Sequence, residues 1–103
     1  MNNIYHVDEI REKLYPIFQN SSVYRAILFG SYANGSATEQ SDVDIVIDSN
    51  GELLNINFFA ISEDIASALD KRVDLIEISE IRQDSPLFDE ISKKGVLMYE
   101  CQR

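Results

Sequence analysis

Two strand-forming segments frame this chain, and a run of small residues separates them. VYRAILF, from Val23 to Phe29, ends in a continuous apolar run and reads as a buried strand. DVDIVID, from Asp42 to Asp48, alternates and is rich in β-branched residues, so it reads as a second strand. Between them, Gly30 to Gln40 holds small and polar residues, with one helical turn expected from Ser31. A turn-rich loop that runs straight into two aspartates separated by one residue is an unusual combination.

The flanking segments alternate between helix and strand. Val7, Ile10, Leu14 and Ile17 recur at helical spacing and predict a helix over Val7 to Gln19. Pro16 is expected to shorten or bend it. Asn20-Ser21-Ser22 and Ser49-Asn50-Gly51 read as turns. Leu54, Phe58, Ile61, Ile65 and Leu69 step by four, three, four and four, which marks an amphipathic helix. Phe58 and Phe59 are assigned to its core stripe, not to a nucleotide platform. Arg72 to Ile78 alternates as a third strand. Pro86 to Lys94 reads as a helix with Pro86 near its first turn and Gly95 as its terminator. Val96 to Glu100 is a short last strand. The pattern predicts an α/β (α+β) sandwich, a small mixed β-sheet with helices packed against it.

At 103 residues the chain is expected to be one domain, 1–103, without a second unit to wrap a large substrate. Its apolar content of 45% suffices for an ordinary core. No apolar run approaches the roughly 20 residues that span a membrane, and the first residues carry charges instead of a signal-peptide core. The one cysteine, Cys101, fits a reducing cytoplasm and is expected to be inert.

Charge narrows the partners. Eighteen acidic against nine basic side chains give −9. Such a surface repels polyanions, so direct nucleic-acid binding is not expected. An acidic chain either docks a basic protein or gathers carboxylates around metal ions that then accept an anionic substrate.

Asp42 and Asp44 belong to one strand face, about 6.6 Å apart along the chain. They are either a solvated strand face or a pair that holds a cation between them. Mg²⁺ takes one or two carboxylates together with waters and substrate phosphates. Gly30-Ser31 is either a plain turn or a place where backbone approach, a hydroxyl and N–H groups meet a phosphate. Ten residues separate Ser31 from Asp42. If the two strands are antiparallel neighbours, Ser31 and the aspartates meet at one edge of the sheet. Asp74, on the third strand, is either a surface partner of Arg72 or a third carboxylate of the same site. Ser41 either positions the strand start or is solvated loop, and Tyr32 either stacks on a base or packs. His6 is the only histidine, so neither a histidine metal site nor a triad is expected.

Gly30-Ser31, ten residues, Asp42-Val43-Asp44 and a later Asp74 resemble the DNA polymerase β-like nucleotidyltransferase superfamily. More narrowly, the chain resembles the minimal nucleotidyltransferases, the MNT-domain proteins that serve as antitoxins beside HEPN-domain toxins. The likeness covers nearly the whole chain, from the leading helix through GSYANGSATEQSDVD and KRVDLIEI to SPLFDEISKKGVLMYE. It implies the polymerase β-like fold and Mg²⁺ held by Asp42, Asp44 and Asp74. It also implies nucleotide binding at Gly30, Ser31 and Ser41, and catalysis by the three aspartates. The implied reaction moves AMP from ATP onto a hydroxyl, a tyrosine of the HEPN toxin, with the two proteins forming a hetero-oligomer. Asn34 departs from the pattern, because many relatives carry arginine before the second glycine of this loop. Either activity is weaker for it, or Arg25, Lys71, Arg72 or a partner compensates. Two other functions compete: an antitoxin that neutralises by binding alone, which Asn34 motivates, and a small-molecule nucleotidyltransferase acting on aminoglycosides.

Overall fold

A computed structural model describes residues 4–53 and 55–101. The elements are α1 (Val7–Gln19), β1 (Arg25–Phe29), α2 (Ser31–Asn34), β2 (Val43–Asp48), α3 (Asn55–Leu69), β3 (Val73–Glu77), α4 (Pro86–Lys94) and β4 (Val96–Glu100). A 3₁₀ turn over Ile78–Glu80 follows β3. Leu54, expected to open the stripe of α3, lies outside the described residues. No helix among the described residues is long and apolar enough to cross a membrane.

The four strands lie in the order β3-β2-β1-β4. β1 runs antiparallel to both β2 and β4. The connection between β1 and β2 carries α2 and returns the chain antiparallel to β1. β2 and β3 are parallel, and α3 is the crossover that a parallel connection requires. The sheet is therefore mixed, as the sequence pattern predicts.

Alternation along the strands sorts the side chains into two layers. Ala26 and Leu28 of β1 and Val43, Ile45 and Ile47 of β2 are buried with Ile10, Leu14 and Phe18 of α1 and Ile61, Ile65 and Leu69 of α3. The other face carries Phe29 and Val46, packed with Ile91 of α4 and the partly buried Ile27, Ile76 and Leu87. Asp42, Asp44 and Asp74 share the parity of Val46 and Ile76, so they belong to the α4 face.

α1 has the bounds the spacing predicts, and Pro16 does not shorten it: the helix continues to Gln19. An internal proline costs roughly 3 kcal/mol, and the fully buried Phe18 anchors the turn beyond it. β1 starts at Arg25, not Val23, because the Ser21 hydroxyl accepts the Val23 amide at 3.1 Å and holds a turn there. Phe58 packs against the core, but Phe59 is 64% exposed. It lies about 100° around the helix from Phe58, so the aromatic pair divides between core and surface. Tyr99 is buried beside Phe18 and Tyr15, and Tyr32 is buried in the main core.

Gly95 ends α4, as expected, but not through a left-handed conformation. Its φ of −67° and ψ of 151° are extended backbone that any residue adopts. The reason for glycine is contact. A Cβ there would stand 2.5 Å from Ile27 Cγ2 and 2.5 Å from the Ile91 carbonyl oxygen. Gly95→Ala is therefore expected to lower stability by about 1–3 kcal/mol, read as a shift of the urea midpoint. An unchanged midpoint would mean that α4 can move off the sheet freely.

Candidate active site

The site is built where β1 ends and β2 and β3 begin. In the antiparallel register Phe29 pairs with Asp44, so the next residue, Gly30, meets the Asp44 side chain. Gly30 has φ 74°, and a Cβ on it would collide with Asp44 Oδ2. Both conditions select glycine. α2 begins directly afterwards, with Ser31 as its first residue. Ser31 and the aspartates thus gather at one end of the strands.

The loop is closed by its own side chains. Asn34 Oδ1 accepts from the Ser36 amide at 3.0 Å and from the Ser36 hydroxyl at 2.5 Å. The Ser41 hydroxyl accepts from the Thr38 amide at 2.8 Å, just before β2. Lys71 Nζ donates to the Glu39 carbonyl at 3.1 Å and lies 5.8 Å from the Tyr32 ring centre. These bonds tie the loop to the residues that lead into β3. Asn34 is thus part of a turn, and Ser41 sets the strand start.

The parallel register brings the carboxylates together. Val43 pairs with Val73 and Asp44 with Asp74. Neighbouring strands lie about 4.8 Å apart, so Asp44 and Asp74 stand side by side on one face. Like charges directly across a strand pair are destabilising. Two residues before each of these acids, just ahead of the strands, Asp42 Oδ1 meets Arg72 Nε at 3.8 Å. The face therefore carries a like-charge row, Asp44 and Asp74, and an opposite-charge row, Asp42 and Arg72.

Electrostatics follow from that arrangement. The Asp44 pKa is raised from 3.8 to about 6. Burial is the largest cause, followed by the charges of Asp74, Asp42 and Glu90. Glu90, an exposed residue of α4, went unremarked in the sequence reading. Its signal was there: it stands three residues after Leu87 and one before Ile91, beside the stripe that α4 lays on the sheet.

Among the described residues, no three His, Cys, Asp or Glu side chains are grouped tightly enough to enclose a metal by themselves. The donor set nonetheless fits Mg²⁺, which keeps waters and takes substrate oxygens beside one or two carboxylates. Hard oxygen ligands stand in register, and Gly30 leaves their approach open. The large groove, about 590 Å³, lies elsewhere. Ser22, Glu52, Asn57 and Asp64 line it, at the far end of β2.

A four-stranded mixed sheet with paired aspartates at a glycine-serine turn defines a minimal nucleotidyltransferase architecture. The model of the Polymerase beta, Nucleotidyltransferase family matches residues 12–103. The chain is 34% identical over 77 residues to protein adenylyltransferase MntA of Thermococcus cleftensis, covering 75% of this chain and 71% of that one. It is 41% identical over 51 residues to protein adenylyltransferase MntA of Shewanella oneidensis, covering 50% of this chain and 37% of that one. A crystal structure of a toxin–antitoxin with AMP-PNP superposes with a TM-score of 0.76 at 26% identity, over 89% of this chain and 74% of that one. The chain belongs to the polymerase β nucleotidyltransferase family and has that family's fold.

Raising an acid's pKa in the folded state makes its ionisation there costly. The folded protein holds the Asp44 proton between pH 3.8 and about 6, whereas the unfolded chain has released it. Stability is thus lost as pH rises through that window. In metal-free protein Asp44→Asn is expected to melt higher than wild type above pH 6, with the gap closing toward pH 4. Thermal melts in EDTA across that range test this, and a pH-independent gap would refute it.

Proposed function

We propose that the protein transfers AMP from ATP to a hydroxyl of a HEPN-domain toxin, a tyrosine, and so acts as its antitoxin. The observation that carries this reading is the in-register pair Asp44 and Asp74 beside Gly30. The fold gains nothing from setting two carboxylates side by side under a glycine that leaves them uncovered. A cation with a polyphosphate gains a binding place. The relatives named protein adenylyltransferase support AMP transfer to protein. The toxin–antitoxin structure with AMP-PNP supports ATP as donor and a toxin as partner.

Asp42, Asp44 and Asp74 would hold Mg²⁺, which when bound neutralises charge on the transferring and leaving phosphates. Gly30 and Ser31 offer N–H groups and a hydroxyl to the outer phosphates. Ser41 contributes to nucleotide binding by fixing the loop behind them. Asp74, exposed at the start of the edge strand β3, receives the acceptor's proton. The acceptor oxygen bonds to the α-phosphorus, the bond to the bridging oxygen breaks, and pyrophosphate leaves. The protein's work is positioning and charge neutralisation. The partner completes the open side of the site, and the charge of −9 suits a basic partner surface.

The test is incubation with labelled ATP, Mg²⁺ and the product of the neighbouring gene, the proposed toxin. Label is expected on the toxin, reduced about 10²-fold or more in Asp44→Ala and Asp42→Ala. Neutralisation that survives those substitutions without any label would instead mean an antitoxin that works by binding. Label on an aminoglycoside but never on protein would mean a small-molecule enzyme.

A further inference from the structure

We infer that Arg72 is a positioning residue with two alternative partners: Asp42 in the metal-free protein, and the phosphates of the bound nucleotide once Mg²⁺ takes the carboxylates. The inference rests on the reading of Asp42, Asp44 and Asp74 as the nucleotide site.

The loop that faces the nucleotide supplies no positive charge, since Gly30 to Gln40 contains neither lysine nor arginine. The outer phosphates need a cation from elsewhere. Three candidates flank β1, β2 and β3, the strands that carry the site. Arg25 sits at the wrong end of β1, 3.6 Å from Asp48 and 4.0 Å from Glu100. Lys71 is committed to the Glu39 carbonyl and the Tyr32 ring. Arg72 stands on the carboxylate face itself, two residues before Asp74 and across from Asp42.

Its attachments suit such an exchange. The backbone is fixed, because the Arg72 carbonyl accepts from the Val43 amide at 3.0 Å. The head is not. The side chain is 90% exposed, and its contact with Asp42 is 3.8 Å long. An exposed pair of that length contributes little and is broken easily. The planar guanidinium matches phosphate oxygens in pairs, which an ammonium does not. With a metal held by Asp42 the guanidinium would be free to leave it, and the phosphates of the accompanying nucleotide would be the anion that receives it.

The consequence is a pair of opposite effects. Removing Arg72 removes a competitor for the carboxylates and a partner for the phosphates. Arg72→Ala is expected to bind Mn²⁺ alone about twofold to fivefold more tightly, counted by electron paramagnetic resonance of free Mn²⁺. The same variant is expected to bind Mg·AMP-PNP about tenfold more weakly, measured by calorimetry on the full chain. Arg72→Lys should restore wild-type Mn²⁺ binding but only part of the nucleotide affinity. If Arg72→Ala changes neither affinity, or weakens both, the two-partner role is wrong. Asp44→Asn separates this from the site assignment. If Asp44→Asn binds Mg·AMP-PNP as wild type does, the carboxylate site itself is misassigned, and the role of Arg72 falls with it.

Discussion

The structure turns on one unfavourable contact: Asp44 and Asp74, side by side across two parallel strands. Each strand that carries one of these acids is anchored by its other face. Val43, Ile45 and Ile47 are buried on either side of Asp44, and Val73 and Leu75 pack against the same core. Alternation is what makes this possible. A strand commits every second residue to the core and leaves the others free to be chosen for chemistry. A slip of one residue would bury the carboxylates and expose the aliphatic row, so the core that stabilises the sheet also fixes the register of the acids.

Both ends of the β2–β3 pair are pinned by polar contacts outside the ladder. At the active end, the Arg72 carbonyl takes the Val43 amide. At the far end, the buried Glu77 accepts the Ser49 hydroxyl at 2.8 Å, and the Ser49 oxygen accepts the Leu53 amide at 3.1 Å. Burying a carboxylate is costly unless it is hydrogen-bonded, and here the bonds join the end of β3 to the turn after β2. The register of the acids is thereby held from a distance of a full strand. α4 then closes the other face through Ile91 and Val46, and brings Glu90 toward Asp44.

Much of this is readable from the chain because it is local. Helical spacing marks α1, and DVDIVID marks β2 with its two faces. The antiparallel β1–β2 pairing and the parallel β2–β3 pairing are both topologies the element order favours, and the convergence of Ser31 with the aspartates follows from them. The rest is non-local. Gly95 reads as a helix terminator by position, but its requirement comes from Ile27 on another element. Ser49 and Glu77 are 28 residues apart and show no pattern. Phe59 is misread because two adjacent aromatics blur a stripe that only one of them joins. Glu90 becomes visible only once α4 is laid on the face that carries Asp44.

On the proposed reading, the unfinished charge balance of the site would let a small acidic domain take an anionic substrate. Free Mg²⁺ would meet acids in register but, among the described residues, no cage of three, so the protein would supply only part of a coordination shell. A polyphosphate alone meets a face of carboxylates and a chain of net charge −9, which repels it. On the proposed reading, metal and nucleotide together would satisfy both, because the phosphates would complete the shell and the metal would cancel the repulsion. Selectivity for the pair over either component therefore lies in what the site lacks. Such a site would need no deep pocket, so a sheet end with one glycine-serine turn would suffice, and the proposed acceptor would bring a surface of its own.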